Sequence, residues 1–304
     1  MGFFNHNSQF CSNKKPTQIM TKLKIAIQKS GRLNQDSLAL LKNCGISIDN
    51  GKDQLKAAAR NFPLEVLYLR NGDIPQYLRD GVVDVAILGE NTLVEKGEDL
   101  AVVERLGFSK CRVSLAVPKA FDYKNIQDLN GKRIATSYPN TVKKYLKAQG
   151  ITADLHIING SVEIAPNIGL ADAICDIVSS GSTLFKNGLK EAVQMAVSEA
   201  VLTVAPSLSS EKQAILDTVR FRIQAVLKGQ NSKYILLNAP NEKVAEILEL
   251  LPGMKSPTVL PLAQAGWSSI HTVIEKSKYW DIIDALKNHG AEGILVIPIE
   301  KMIL

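Results

Sequence analysis

Leu170-Ala-Asp-Ala-Ile-Cys-Asp-Ile-Val-Ser-Ser-Gly-Ser-Thr-Leu184 holds a strand, a turn and the start of a helix in one stretch. Ala173, Ile174, Ile177 and Val178 form a short apolar run that reads as a strand. Ser179, Ser180, Gly181, Ser182 and Thr183 then make a turn, and the amphipathic segment from Leu184 to Leu189 follows. The turn offers four hydroxyls and backbone N–H groups where a helix begins, an arrangement suited to a phosphate. Asp172 and Asp176, just upstream, bring acceptors for sugar hydroxyls or for a magnesium ion. Acids delivered into a hydroxyl-rich turn point to a sugar phosphate, and more narrowly to a phosphoribosyl group. Taken alone, the stretch also fits an ordinary strand–turn–helix with serine caps.

Working outward, short apolar strands alternate with helical patterns from Lys22 onward, the signature of an α/β fold with largely parallel sheets. Lys24–Gln28 is a strand that ends in Lys29-Ser30-Gly31-Arg32, and a helix stopped by Gly45 follows it. Glu65–Leu69 is a second strand, with Asp73-Ile74-Pro75 opening the next helix. Val83–Leu88 is a central strand ending at Gly89-Glu90-Asn91. Strands at Arg112–Val117, Lys132–Thr136 and Leu155–Ile158 form a second block with the quoted stretch. A strand over residues 196–204 is expected to cross back to the first block, before a helix over 211–228. Two α/β lobes joined by crossing strands make a cleft, and ligands in such sheets bind beyond the carboxyl ends of the strands. Arg32, Asp73, Glu90, Glu163 and the Ser179–Thr183 turn all follow strands, so one mouth can gather them.

Residues 232–304 carry their own pattern. Val244, Ile247, Leu248 and Leu251 fall on one helical face, and Tyr279, Ile282, Ile283 and Leu286 on another, between strands in the order βαββαβ of a ferredoxin-like sandwich. No acid–base constellation accompanies them, so regulation or assembly suits this part better than catalysis.

Composition sets the bounds. The chain has 304 residues, 45% hydrophobic and 22% charged, within the range of ordinary globular proteins. No stretch reaches the length of a membrane helix. The net charge of +6 comes from dispersed basic residues, which suits small polyanions and gives no nucleic-acid footprint. The four cysteines lack CxxC spacing and the four histidines lack HxxxH spacing, so a disulfide framework or zinc site is not expected and a reduced cytoplasmic setting is. Residues 1–19 read as a polar, flexible extension preceding Met20.

Several segments together resemble the long form of ATP phosphoribosyltransferase. They include Gln28-Lys-Ser-Gly-Arg32, Asp73-Ile-Pro75, Asp80-Gly-Val-Val-Asp84, Gly89-Glu-Asn91, the Asn130–Pro139 run, Asn159-Gly-Ser-Val-Glu163 and the quoted stretch. Ser232-Lys-Tyr234, Leu251-Pro-Gly253, Pro257-Thr258 and Ile297–Met302 continue the series to the end of the chain. The resemblance implies a two-lobed catalytic region similar to periplasmic solute-binding proteins, over residues 20–111 and 202–228 (lobe I) and 112–201 (lobe II). It implies an ACT-like regulatory domain over 232–304. It further implies condensation of ATP with 5-phosphoribosyl-1-pyrophosphate, with magnesium, as the first step of histidine biosynthesis. Histidine is the expected feedback inhibitor, and a dimer or hexamer the expected assembly.

Under that resemblance, Ser179, Ser180, Gly181, Ser182 and Thr183 hold the 5-phosphate. Asp172, Asp176 and Glu163 face the ribose or magnesium, with Asp172 and Asp176 as tentative metal ligands. Asp176, Glu163 and Arg32 carry the catalysis, the arginine by gripping phosphate in a fork. Lys29, Arg32, Asp73 and Glu90 are the ATP-side candidates, with Arg112, Lys132 and Arg133 as further cations in reach of triphosphate. Asn238, Met254, Ser256, Thr258, Val273 and Gly293 match the histidine pocket. The competing expectation is a non-catalytic two-lobed binder fused to an amino-acid sensor, which lacks a reason for acids beside a phosphate turn. Pyrophosphate release on mixing the two substrates separates the two.

Overall fold

In the computed structural model, three sheets divide the chain, and the description covers residues 21–49, 54–97, 99–251 and 257–303. The expected extension over 1–19, and the pocket candidates Met254 and Ser256, lie outside the described residues.

Lobe I starts with β1 (Leu23–Gln28), α1 (Arg32–Asn43), β2 (Lys56–Ala58), β3 (Leu64–Leu69), α2 (Ile74–Arg79), β4 (Val85–Gly89), α3 (Glu90–Lys96) and β5 (Val102–Arg105). Lobe II follows with β6 (Cys111–Pro118), β7 (Arg133–Thr136), α4 (Pro139–Ala148), β8 (Asp154–Ile157), β9 (Ala173–Val178), α5 (Ser182–Lys186) and β10 (Leu189–Ser198). The chain returns to lobe I through β11 (Ala200–Val204) and α6 (Ser210–Gln230). The C-terminal domain comprises β12 (Ser232–Pro240), α7 (Val244–Leu250), β13 (Thr258–Pro261), β14 (Trp267–Glu275), α8 (Tyr279–Asn288) and β15 (Glu292–Pro298).

The sheet orders are β2-β3-β1-β4-β11-β5, β10-β6-β9-β7-β8 and β13-β14-β12-β15. Both lobe sheets are mixed rather than largely parallel. β1, β3, β4 and β5 run together with β2 and β11 against them, and β7, β8, β9 and β10 run together with β6 against them. The apolar strand expected over 196–204 is two strands broken at Glu199, β10 in lobe II and β11 in lobe I.

Apolar strands filled on both faces explain the lobe cores. Ile25, Ile27, Val85 and Ile87 pack with α1 and α6 on one face, and Ala26, Ala86 and Leu88 with α2 and α3 on the other. In lobe II, Val113, Leu115, Ile134 and Cys175 face α4, and Ala116, Ala135, Ile174 and Val178 face Val162 and Leu184. Cys44 and Cys175 are buried free thiols, pushed by burial up to about 11 and about 12. Gly45, at φ +74°, ends α1 as expected, with the Ile46 N–H closing back on the Leu41 carbonyl. In the C-terminal sheet, Ile235, Leu237, Ile270 and Ile274 pack under α7 and α8, while among the described residues the opposite face of the sheet has no helix on it.

Strand register fixes where the cleft lies. Ala200 pairs with Gly89, so β11 begins at the carboxyl end of β4, beside the carboxyl ends of β1 and β3. Ser198 pairs with Cys111 and Arg112 with Val178, so the crossing strands enter and leave lobe II at the carboxyl ends of β9 and β7. The carboxyl ends of both sheets therefore meet at the hinge.

Candidate active site

The chain after β9 turns through Ser179, Ser180 and Gly181 into α5. Gly181, at φ +79°, takes a left-handed conformation that a side chain would strain. Ser179, Ser180, Ser182 and Thr183 are exposed, with Ser180 Oγ 3.1 Å from Ser182 Oγ. The turn therefore opens to solvent at the hinge-facing end of its strand. Arg112 braces it from the neighbouring strand, donating to the Ser179 carbonyl at 2.9 Å while its fork grips Glu191 at 2.6 Å. Arg112 is thus a structural brace rather than a free cation for triphosphate.

Asp176 lies two residues before the strand ends. Its carboxylate accepts from the Ile177 N–H at 2.7 Å. Burial first, and then the charge of Glu163, raise it from the ordinary carboxylate range to about 6. Glu163 sits in a single 3-10 turn, Val162–Ile164, entered through Ser161 at φ +51°. Two acids of this kind, one held near neutrality, mark a site where positive charge is welcome.

Asp172 belongs elsewhere. It precedes β9, and its N–H donates to the Arg133 carbonyl at the amino end of β7. Six residues of strand, about 20 Å, separate it from Val178 and the turn. Its carboxylate accepts from the Arg133 backbone N–H at 2.9 Å and from the guanidinium at 2.8 and 3.2 Å, which together hold it down at about 2. Asp172 and Asp176, four residues apart on an extended strand, are too far apart to share one ion. Asp172 is therefore corrected from a ribose or metal ligand to a partner of Arg133, and Arg133 with it.

On the lobe I side, Gly31 at φ +89° carries the chain out of β1 into α1, and Lys29 and Arg32 are exposed there. Arg32 reaches only Asp36, at 3.8 Å, with 75% of its side chain exposed. Asp73 is exposed before α2 and makes no side-chain cap. Glu90 is corrected. Its carboxylate is forked by Arg105 at 2.6 and 2.8 Å, and Arg105 also reaches Glu199 at 3.4 Å. This ion triad lines a hinge cavity of about 310 Å³ with Lys110 and Cys111. Glu90 thus ties β5 to the crossing strand instead of offering a free acceptor to a nucleotide.

Tyr138 is a further candidate that sequence reasoning passed over. Burial, and then the Asp176 carboxylate nearby, push its phenol up from the ordinary value. Asn91 of α3 donates to its hydroxyl at 3.4 Å, so lobe I contacts a residue that follows β7. The aromatic directly before the proline that opens α4 was the available signal.

A family model for ATP phosphoribosyltransferase matches residues 70–225, and one for the HisG C-terminal domain matches residues 229–301. The chain belongs to the ATP phosphoribosyltransferase family. It is accordingly an enzyme of the pentosyltransferase class. Similar proteins include an ATP phosphoribosyltransferase of Cytophaga hutchinsonii, 56% identical over 283 residues, covering 93% of this chain and 99% of that one. One from Bacteroides fragilis is 53% identical over 282 residues, covering 93% and 100%. Among solved structures, the ATP phosphoribosyl transferase (HisG:HisZ) complex from Thermotoga maritima matches with a TM-score of 0.57 at 30% identity, covering 66% of this chain and 98% of that one.

In the C-terminal domain, the described pocket candidates share the helix-free face of the sheet. Asn238 Nδ2 lies 3.4 Å from where a side chain on Gly293 would begin, Thr258 pairs with His271, and Val273 pairs with Tyr234. His271, unremarked in the sequence, sits between them, bonded to Tyr234 Oη at 2.8 Å and Ser269 Oγ at 3.0 Å.

Proposed function

We propose that the hinge cleft joins ATP to 5-phosphoribosyl-1-pyrophosphate, giving N1-(5-phosphoribosyl)-ATP and pyrophosphate, the opening reaction of histidine biosynthesis. The observation that carries the reading is the open hydroxyl turn beside the half-buried Asp176 at the lobe-facing end of β9. Ser179–Thr183 take the 5-phosphate. Asp176 and Glu163 face the ribose, where positive charge develops as adenine N1 attacks and pyrophosphate leaves. Little covalent chemistry is asked of the protein, so alignment and charge placement supply the rate. Lys29 and Arg32 draw polyphosphate to the lobe I side, and Asp73 faces the nucleoside.

Magnesium belongs to this reading as the counter-ion of the substrate polyphosphates. Among the described residues no group of three or more His, Cys, Asp or Glu can hold a metal, and Asp172 is committed to Arg133. No step is therefore assigned to a protein-held ion. Histidine, as feedback inhibitor, would lie on the sheet face opposite α7 and α8, at Asn238, Thr258, Val273 and Gly293. The pyrophosphate-release assay with both substrates, run with and without histidine, tests the reading: release that depends on both substrates supports it, and none refutes it.

A further inference from the structure

Helix α4 has no cap of its own. Its N-cap residue is Tyr138, whose side chain makes no capping bond, although helix starts favour Ser, Thr, Asp or Asn there. The cap comes from the other lobe. Glu95 of α3 accepts from the Asn140 N–H at 3.0 Å, the Thr141 N–H at 2.9 Å and the Thr141 hydroxyl at 2.8 Å. Asn140 Nδ2 in turn donates to the Glu95 backbone carbonyl at 2.9 Å. Glu95 is only 8% exposed, and a carboxylate so buried is tolerable only with such partners. One helical turn earlier on the same face, Asn91 is 9% exposed. It donates its N–H to Ser198 Oγ, accepts from that hydroxyl on Oδ1, and donates Nδ2 to Tyr138.

We propose that Asn91 and Glu95 are positioning residues for the reaction above: they clasp the first turn of α4, hold the two lobes at one separation, and anchor the Tyr138 hydroxyl. The clasp touches neither the phosphate turn nor the lobe I polyphosphate candidates. It aligns what each lobe holds, so its loss falls on turnover rather than on binding to one lobe. The inference rests on the proposed activity for its kinetic consequence but not for its structural one.

The test uses the full-length protein. Glu95→Ala should lower kcat about 10- to 100-fold, the scale of a misalignment near 1 Å. The dissociation constant for phosphoribosyl pyrophosphate alone, measured calorimetrically, should change less than about threefold, since that ligand sits on lobe II. Glu95→Asp should recover part of kcat, and Thr141→Val should lose little further rate in the Glu95→Ala background. Amide exchange at Asn140 and Thr141 should quicken in Glu95→Ala, and small-angle scattering should show a larger radius of gyration. Unchanged amide exchange and scattering would overturn the clasp whatever the activity. An equal loss in kcat and in ligand affinity would overturn the positioning role. Wild-type protein without turnover, but with Glu95-dependent amide protection, would refute the proposed function and leave the clasp standing.

Discussion

Asp176 and Glu163 set the pH behaviour of the site between them. Asp176 is raised to about 6, chiefly by burial, so the free enzyme should lose kcat/KM as pH falls through about 6, where the carboxylate proposed to face the ribose becomes neutral. Glu163→Gln removes a neighbouring negative charge, so the acid limb should move to lower pH in a kcat/KM profile. The same shift has a stability sign. The native state binds the Asp176 proton more tightly than the unfolded chain does, so this residue stabilises the fold below the unfolded pKa, and that contribution is lost as pH rises through about 6. Asp176→Asn should therefore abolish turnover yet raise stability by about 1–3 kcal/mol at pH 7.5, an advantage that vanishes near pH 4 in denaturant titrations. A second comparison separates the two ends of β9. Thr183→Ala should weaken phosphoribosyl pyrophosphate binding sharply in calorimetry, whereas Asp172→Asn should leave it unchanged and lower only Tm. The place of Asp176 and the turn at a strand end was legible because strand, acid and turn lie in one unbroken stretch. Asp172 was misread because a strand's alternation shows which face a residue takes and says nothing of its distance from the ligand.

At the scale of elements, helix starts and β-alternation were readable wherever each element was locally self-sufficient. The two strand–helix units β1–α1 and β3–α2 of lobe I, the central strand β4, and the two amphipathic helices of the C-terminal domain carry their own periodicity and stop signals. β10 does not. Register shifts at Glu191/Val193 and Gln194/Ala196 break its alternation, so its first half gave no strand pattern. The α4 cap was invisible for a different reason, since its acid is supplied 45 residues away in the chain. Glu90 likewise found its partner across the crossing strands. One contact between elements has a plain cost attached. A Cβ on Gly229, near the end of α6, would lie 2.8 Å from the backbone of Glu300 and Lys301, and the Met302 N–H bonds to the Ala225 carbonyl just there. Gly229→Ala should therefore push the closing segment off α6 and destabilise the protein by about 1–3 kcal/mol, read as a lower Tm and faster proteolysis near the C-terminus.

At the scale of the molecule, the C-terminal sheet is apolar on both faces but helix-covered on one. Leu260, Leu295 and Ile297 are about half exposed (49%, 53% and 44%) on the uncovered side, around the polar group of Asn238, His271 and Tyr234. An apolar face of this kind on a sheet whose edge strands are also open favours a partner surface, and a second copy of the chain offers the same face in return. The pocket candidates lie on that face, so assembly and histidine response should rise and fall together. Leu295→Glu places a charge in the centre of such a contact and should shift sedimentation velocity from an assembled species towards the monomer. The uninhibited rate should be unaffected, because Leu295 belongs to the C-terminal sheet and to neither of the two sheets whose strand ends meet at the hinge, while inhibition by histidine should weaken in parallel with the lost mass. A variant that sediments like the wild type would exclude this face as the assembly surface, and one that dissociates yet keeps full histidine inhibition would uncouple the effector site from it.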